Sequence, residues 1–292
     1  MTRAALLFPG QGNLPADLSS RLERTDPELH ALITGRAGSD IFERADEGQR
    51  WRQPALFAAS MGCWREVERS IAEGTLRDGP VEIIAFAGHS LGEIAALVAA
   101  GALAVADGVE LVCRRGELFQ EVEETCEPAA MCAIVGEGAL AFARSQAGED
   151  LAVANDNSPQ QVVIAGTREA TRAARSQART SGLRAVMLPM QVAGHTPAVG
   201  AVVEPLAATV AAFELAEPTA PVWSSTTAAP FGDVGSELAA GCATLVRWRE
   251  TVIGLHDAGA QLMIDVGPGH ALAGQAAKTV GPDVEVLAPC DE

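Results

Sequence analysis

Apolar positions along this chain fall into short unbroken runs separated by longer stretches of helical spacing, and that alternation predicts the elements before any chemistry is considered. Residues 4–8, 83–87 and 261–266 are runs too short for helices and read as buried strands. Helical spacing covers residues 53 to about 73, with Pro54 at the start, where its missing N–H is harmless, and Gly74 as the stop. It returns over 94–100 and 106–124. Residues 14–50 are polar, helical in part, and say little more. From about residue 130 the rhythm shortens: strand 130–135, helix 138–146, strands 151–155 and 161–165, helix 168–181, strand 184–189. That βαββαβ order is the ferredoxin-like unit, with Asn155-Asp156-Asn157-Ser158-Pro159 expected as a turn between its middle strands. A helix to about residue 213, a strand near 222–224 and a helix over 246–258 follow. The expected fold is α/β: an α/β-hydrolase-like body of residues 1–127 and 192–292 with a mostly parallel sheet, and a ferredoxin-like small subdomain of residues 128–191 inserted into it.

The strand at 83–87 runs into Gly88-His89-Ser90-Leu91-Gly92-Glu93 and then an alanine-rich helix. Gly-x-Ser-x-Gly between strand and helix is the nucleophile elbow: the chain reverses within a few residues and lifts the serine hydroxyl above the sheet. Glycines at 88 and 92 let strand and helix approach closely, and the helix N-terminus offers its free N–H groups to a developing oxyanion. Ser90 is therefore a candidate nucleophile for acyl chemistry. The plain alternative is a glycine-flanked serine in an ordinary turn.

Composition narrows the class. The 292 residues, 48% hydrophobic and 20% charged, suffice for a large core. A net charge of −17 argues against nucleic acid and anionic membranes as partners. No run approaches the roughly 18–20 apolar residues of a membrane span, and no secretory leader is visible, so a cytoplasmic protein is expected. The six cysteines (63, 113, 126, 132, 242, 290) lack CxxC or other partner spacing. Reduced thiols are expected, with neither a zinc site nor a disulfide framework.

Four pieces then stand together: Phe8-Pro9-Gly10-Gln11-Gly12 ahead of Asn13, the elbow, Arg115-Gly116 with Gln120 downstream, and His195 on the return from the inserted unit. With Gln53-Pro54-Ala55-Leu56, the run from Asn157 to Gly166, Val246-Arg247-Trp248 and Asp265-Val266-Gly267-Pro268-Gly269, the sequence resembles the malonyl-CoA:acyl-carrier-protein transacylases and the acyltransferase domains of polyketide synthases over nearly its whole length. The resemblance implies a stand-alone enzyme acting in trans. Ser90 would take the acyl group from CoA as an ester and pass it to the phosphopantetheine thiol of a carrier protein, without metal or other cofactor. His195 would be the general base, oriented by a main-chain carbonyl rather than a carboxylate. The backbone N–H groups of Gln11 and Leu91 would form the oxyanion hole. Arg115 would grip the free carboxylate of a malonyl group through its two-pronged fork. His89 would shape the elbow, and Arg114 would be solvated.

Two positions depart from the family. Gly194 stands where relatives carry serine or phenylalanine, leaving room for a substituted malonyl group or for water. Gly241 stands where a glutamine is usual, so only its carbonyl remains to orient His195. The substrate-binding set is thus Arg115 and Gly194. The same scaffold can also run as an acyl hydrolase or as the acyl-transfer subunit of a malonate decarboxylase. Carrier proteins are acidic, so docking on this acidic chain needs a local positive patch; Arg168, Arg172, Arg175 and Arg179 fall on one helix face and are expected to supply it, the plain alternative being a solvated face.

Overall fold

Two separate sheets organise the chain in a computed structural model that describes residues 1–12 and 14–290; Asn13, which ends the glycine-flanked glutamine loop, and residues 291–292 lie outside the described residues. The order begins with β1 (Thr2–Phe8), α1 (Leu18–Thr25), α2 (Pro27–Ala37), α3 (Gln49–Glu73), β2 (Val81–Gly88), α4 (Gly92–Ala99) and α5 (Val105–Thr125). The second sheet's elements follow: β3 (Ala129–Val135), α6 (Ala139–Gln146), β4 (Leu151–Ser158), β5 (Gln161–Thr167), α7 (Arg168–Thr180) and β6 (Arg184–Met187). After a 3₁₀ turn at Pro197–Val202 come α8 (Val203–Val210), β7 (Val222–Ser224), β8 (Ala229–Pro230), α9 (Val234–Gly241), α10 (Trp248–Asp257), β9 (Leu262–Asp265), α11 (Ala271–Val280) and β10 (Glu285–Leu287).

The large sheet runs β10-β9-β1-β2-β7-β8, parallel except where β8 turns back on β7. Its central strand shows why the apolar run at 4–8 is unbroken. Ala4, Leu6 and Phe8 feed the core on one face, Ala5 and Leu7 the core on the other, and all five are fully buried. Parallel strands covered by helices on both sides have no solvent face to alternate with. The second sheet, β4-β5-β3-β6, is antiparallel throughout, with α6 and α7 packed on it; this is the ferredoxin-like order. The fold is the expected mixed α/β arrangement with two sheets. Among the described residues no helix is long and apolar enough to cross a membrane.

Three expectations are corrected. Helix α3 begins at Gln49 rather than at Gln53, so Pro54 lies inside it. A tertiary contact starts the helix early: the Gln120 side chain accepts the Gln49 N–H at 2.8 Å, and the Gly48 carbonyl accepts from Trp51 and Arg52. The expected turn at 155–159 is mostly strand, for β4 continues to Ser158 with two register shifts and leaves only Pro159-Gln160 to turn. Asn155, Asp156, Asn157 and Ser158 are all buried, and partners outside the subdomain override their turn preference: Asn157 meets His89, Asp156 meets Arg249, and Asn155 bridges to Val246. The expectation of reduced thiols fails for one pair. Cys63 on α3 and Cys290 at the chain's end form a disulfide across a sequence separation of 227, with Cα atoms 5.7 Å apart. Spacing along a chain carries no trace of a contact made by strand order. Cys113, Cys126, Cys132 and Cys242 are free.

The elbow depends on glycines for reasons of space. A Cβ on Gly88 would overlap the backbone of Gly92 and Glu93, and one on Gly92 would overlap the Phe8 carbonyl. Neither obstacle is a movable side chain. Gly194 differs, since a Cβ there would meet only the Phe119 ring at an ordinary 3.6 Å. Gly88→Ala should therefore lower unfolding free energy by about 3 kcal/mol or more, while Gly194→Ala should stay within about 0.5 kcal/mol of the parent, both read from urea denaturation midpoints. A Gly88→Ala variant as stable as the parent would refute the packing account.

Candidate active site

The strand-to-helix reversal sets Ser90 at φ 55° and the return from the second sheet sets His195 at φ 64°, two of only three non-glycine residues in the left-handed region among the described residues. Such a conformation costs about 1–3 kcal/mol where a side chain is present, and it persists only when surroundings impose it. Here the imposing contacts are visible. The His195 N–H donates to the Cys242 carbonyl at 2.8 Å, and the Ser90 N–H reaches Ser225 Oγ at 3.4 Å.

The two strained residues meet. Ser90 Oγ lies 2.7 Å from His195 Nε2. His195 Nδ1 lies 2.9 Å from the Gly241 carbonyl and 3.2 Å from that of Thr244. Both are acceptors only, so Nδ1 carries the ring proton and Nε2 is left to accept from the serine. No carboxylate hydrogen-bonds to His195 among the described residues. Burial pushes the imidazole down to about 3, the neighbouring Arg115 charge adds to the effect, and the two carbonyls oppose it. His195 is therefore neutral through the physiological range.

Arg115, on α5 and buried, donates Nη2 to Ser90 Oγ at 3.0 Å and Nη1 to Gln53 Oε1 at 2.7 Å, with its guanidinium over the Phe119 ring at 4.6 Å. It has no carboxylate partner among the described residues. The Gln11 and Leu91 N–H groups likewise have no partner among them. Their loops are pressed together: a Cβ on Gly10 would run into the His89 carbonyl and the Leu91 nitrogen. Gln11, Ser90, Leu91, Arg115, Gly194 and His195 line one cavity, closed from the second sheet's side by Met131 and Met190.

His89 is turned to a different task. Its Nε2 is 2.9 Å from Asn157 Oδ1 and its ring packs edge-on to Trp248, tying the elbow to β4 and α10. Arg114 pairs with Glu117 at 3.5 Å and stays half-exposed. Of the helix-face arginines, Arg172 and Arg179 are exposed and Arg168 and Arg175 half-buried. None of the four pairs with a carboxylate among the described residues. Residues 128–191 contain six arginines against five carboxylates, in a chain of net charge −17. No group of three or more His, Cys, Asp or Glu side chains comes together among the described residues.

Three participants were not assigned from the sequence. The sequence marks Gln53 as a helix start, yet it holds Arg115; the signal for that is a pair of glutamines at i and i+4, Gln49 and Gln53, on an otherwise apolar helix face. Arg52 braces the glutamine loop by donating to the Gly12 carbonyl at 3.2 Å, and it pairs with Asp46. Glu93, buried at the start of α4, accepts from the Ser225 N–H at 2.6 Å and from Ser225 Oγ at 2.8 Å, fixing the segment that backs Ser90. Burial pushes its carboxyl up to about 7.

Comparison with known proteins extends the geometry. The profile of the acyl transferase domain family matches residues 40–288. The malonyl CoA-acyl carrier protein transacylase of Salmonella typhimurium is 32% identical, the match covering 96% of this chain and 94% of that protein. Among solved structures, the malonyl CoA-acyl carrier protein transacylase of Coxiella burnetii superposes with a TM-score of 0.85 at 29% identity over 99% of this chain and 94% of that one. A malonyl-transacylase solved in complex with its type II polyketide-synthase acyl-carrier protein gives 0.85 at 28% over 100% and 97%.

Glu93 makes stability depend on pH with a definite sign. Its folded pKa of about 7 exceeds the unfolded value of 4.5, so between these limits the folded state holds a proton that the unfolded state has lost. Stability contributed by this group is complete below pH 4.5 and is lost as pH rises through 7. Glu93→Gln, which keeps the acceptor for Ser225, should therefore gain on the parent by roughly 1–3 kcal/mol between pH 5 and 8 in urea melts. A constant difference across that window would show that Glu93 is ionised in the folded protein throughout.

Proposed function

The chain belongs to the acyl transferase domain family, and from that premise we propose that it moves a malonyl or closely related diacid group from coenzyme A to the phosphopantetheine thiol of an acyl carrier protein, through an ester on Ser90, for fatty-acid or polyketide assembly. The observation that carries the malonyl assignment is Arg115: a buried guanidinium, 3.0 Å from Ser90 Oγ, without a carboxylate of its own among the described residues. A buried cation at a reacting centre calls for an anion to complete it, and a guanidinium fork fits a carboxylate with two parallel hydrogen bonds. An acetyl group offers nothing there.

In this reading His195 Nε2 takes the Ser90 proton as Oγ attacks the thioester carbonyl carbon. The oxyanion that forms is held by the N–H groups of Gln11 and Leu91, each worth about 3 kcal/mol of barrier. The C–S bond then breaks and His195 returns the proton to the departing CoA thiolate. The second half runs in reverse: His195 takes the proton of the carrier's thiol, the sulfur attacks the ester, and Ser90 leaves as its hydroxyl. Atoms and charges balance with the two thiols and the chain's own groups, so the reaction calls for no metal or other cofactor, and its CoA substrate suits a cytoplasmic setting. The missing side chain at Gly194, where a Cβ would meet the Phe119 ring at 3.6 Å, supports a donor slightly larger than malonyl. Arg172 and Arg179, exposed and without carboxylate partners among the described residues, supply the positive patch against which an acidic carrier docks.

Two experiments test this. Intact-protein mass spectrometry after brief exposure to malonyl-CoA and acetyl-CoA in competition should show a malonyl adduct that vanishes in Ser90→Ala and loses its preference in Arg115→Met. Rapid CoA release with no adduct and no carrier loading would mean hydrolysis instead. For the docking face, Arg172→Glu with Arg179→Glu should raise KM for carrier several-fold while malonylation of Ser90 from CoA keeps its rate; an unchanged carrier KM removes that face from the reading.

A further inference from the structure

The fork that suits a substrate carboxylate is already engaged, and what it grips is the nucleophile. Arg115 Nη2 donates to Ser90 Oγ at 3.0 Å while Nη1 is anchored on Gln53 at 2.7 Å and the Phe119 ring covers the guanidinium face. Ser90 Oγ is thereby held between a cation on one side and the base, His195 Nε2, at 2.7 Å on the other. Attack requires the serine oxygen to free a lone pair and His195 to become a cation. An unpaired guanidinium on the same oxygen opposes both. The carbonyls of Gly241 and Thr244 that orient His195 carry only partial charge, and Glu93, whose carboxyl burial pushes up to about 7 while the Arg115 charge pulls it down, makes no ion pair with the guanidinium among the described residues.

We infer that the donor's own carboxylate is the switch that makes Ser90 reactive: it draws Arg115 off the serine hydroxyl, neutralises the guanidinium, and so lets His195 accept the proton. This rests on the proposed acyl-transfer reading and deepens it. Arg115 then selects malonyl in the rate of Ser90 acylation, not only in binding, and keeps the hydroxyl quiet toward mono-acid thioesters. The carboxylate is not consumed, and no bond to it forms or breaks. The depressed imidazole, with Arg115 as its second cause after burial, agrees with this reading.

Splitting malonyl into its two halves tests the switch. Acetyl-CoA supplies the thioester and formate supplies the carboxylate, and together they carry the same heavy atoms as a malonyl group into the cavity that Ser90 and Arg115 line. The readout is the single-turnover rate of Ser90 acetylation by quenched mass spectrometry from pH 5 to 8, with chloride at equal ionic strength as control. Formate should raise the rate saturably, several-fold, because neutralising the guanidinium makes His195 a stronger base. It should also move the acid limb of the rate profile to higher pH. Arg115→Met should ignore formate and show the shifted limb without it. If formate leaves wild-type rate and profile unchanged, or only inhibits, while malonyl still outcompetes acetyl on wild type, the switch is wrong and the transfer reading stands. Failure of malonyl-CoA to acylate Ser90 at all would instead overturn the transfer reading, and the switch with it.

Discussion

Every distance at this site follows from how closely three stretches of backbone meet at the ends of β1 and β2. The Phe8 carbonyl accepts the His89 N–H at 2.8 Å, and Gly92 and Gly88 leave no room for a single carbon between strand, loop and helix. That contact fixes the glutamine loop against the elbow and brings the N–H groups of Gln11 and Leu91, unpaired among the described residues, to one cavity. Ser90 stands in the left-handed region at the same turn, its N–H reaching Ser225 Oγ. These N–H groups belong to the main chain, so every substitution at 11 or 91 except proline leaves them in place and acts through shape.

Electrostatics takes over where packing ends. In a chain of net charge −17, nine arginines are ion-paired among the described residues, most of them at the surface, whereas Arg115 is buried beside Ser90 without a carboxylate partner among those residues. With abundant acid nearby, an unpaired guanidinium reflects exclusion: Gln53 and Phe119 occupy the approaches that a glutamate would need. His195 Nδ1 is likewise held by carbonyls among the described residues. The serine and histidine therefore sit beside one guanidinium, whose charge the buried Glu93 carboxyl feels, unlike a triad whose aspartate contacts the imidazole directly.

Much of this was legible from residue order. The unbroken apolar run at 4–8, the glycine spacing of the elbow and the βαββαβ rhythm each follow from local rules, and the strands stand within a few residues of expectation. What failed did so where a distant partner decides. Gln120 starts α3 early, His89 and Arg249 draw a turn-forming tetrapeptide into β4, and Cys290 finds Cys63 because β10 lies at the sheet edge. Helices α9 and α11 and strands β8 and β10 were passed over, being short and set among glycines and prolines that read locally as loops. At the site the pattern was the same. Ser90, Arg115 and His195 stand in recognisable spacings, whereas the supporting contacts of Gln53, Arg52 and Glu93 are visible only once strands are paired.

The Cys63–Cys290 bridge has a topological consequence. It converts the chain between those residues into a closed covalent ring that passes through both sheets, with Ser90, Arg115 and His195 all on the circumference. Gln11 and Gln53 lie outside, on the N-terminal arm, which contributes one wall of the cavity and the anchor of Arg115. The cavity is thus the seam where a linear arm is laid against a ring. A nick anywhere along the ring would leave every fragment covalently tethered, whereas one in the arm just before Cys63 would leave Gln11 and Gln53 joined to the rest only through noncovalent packing and the pairing of β1.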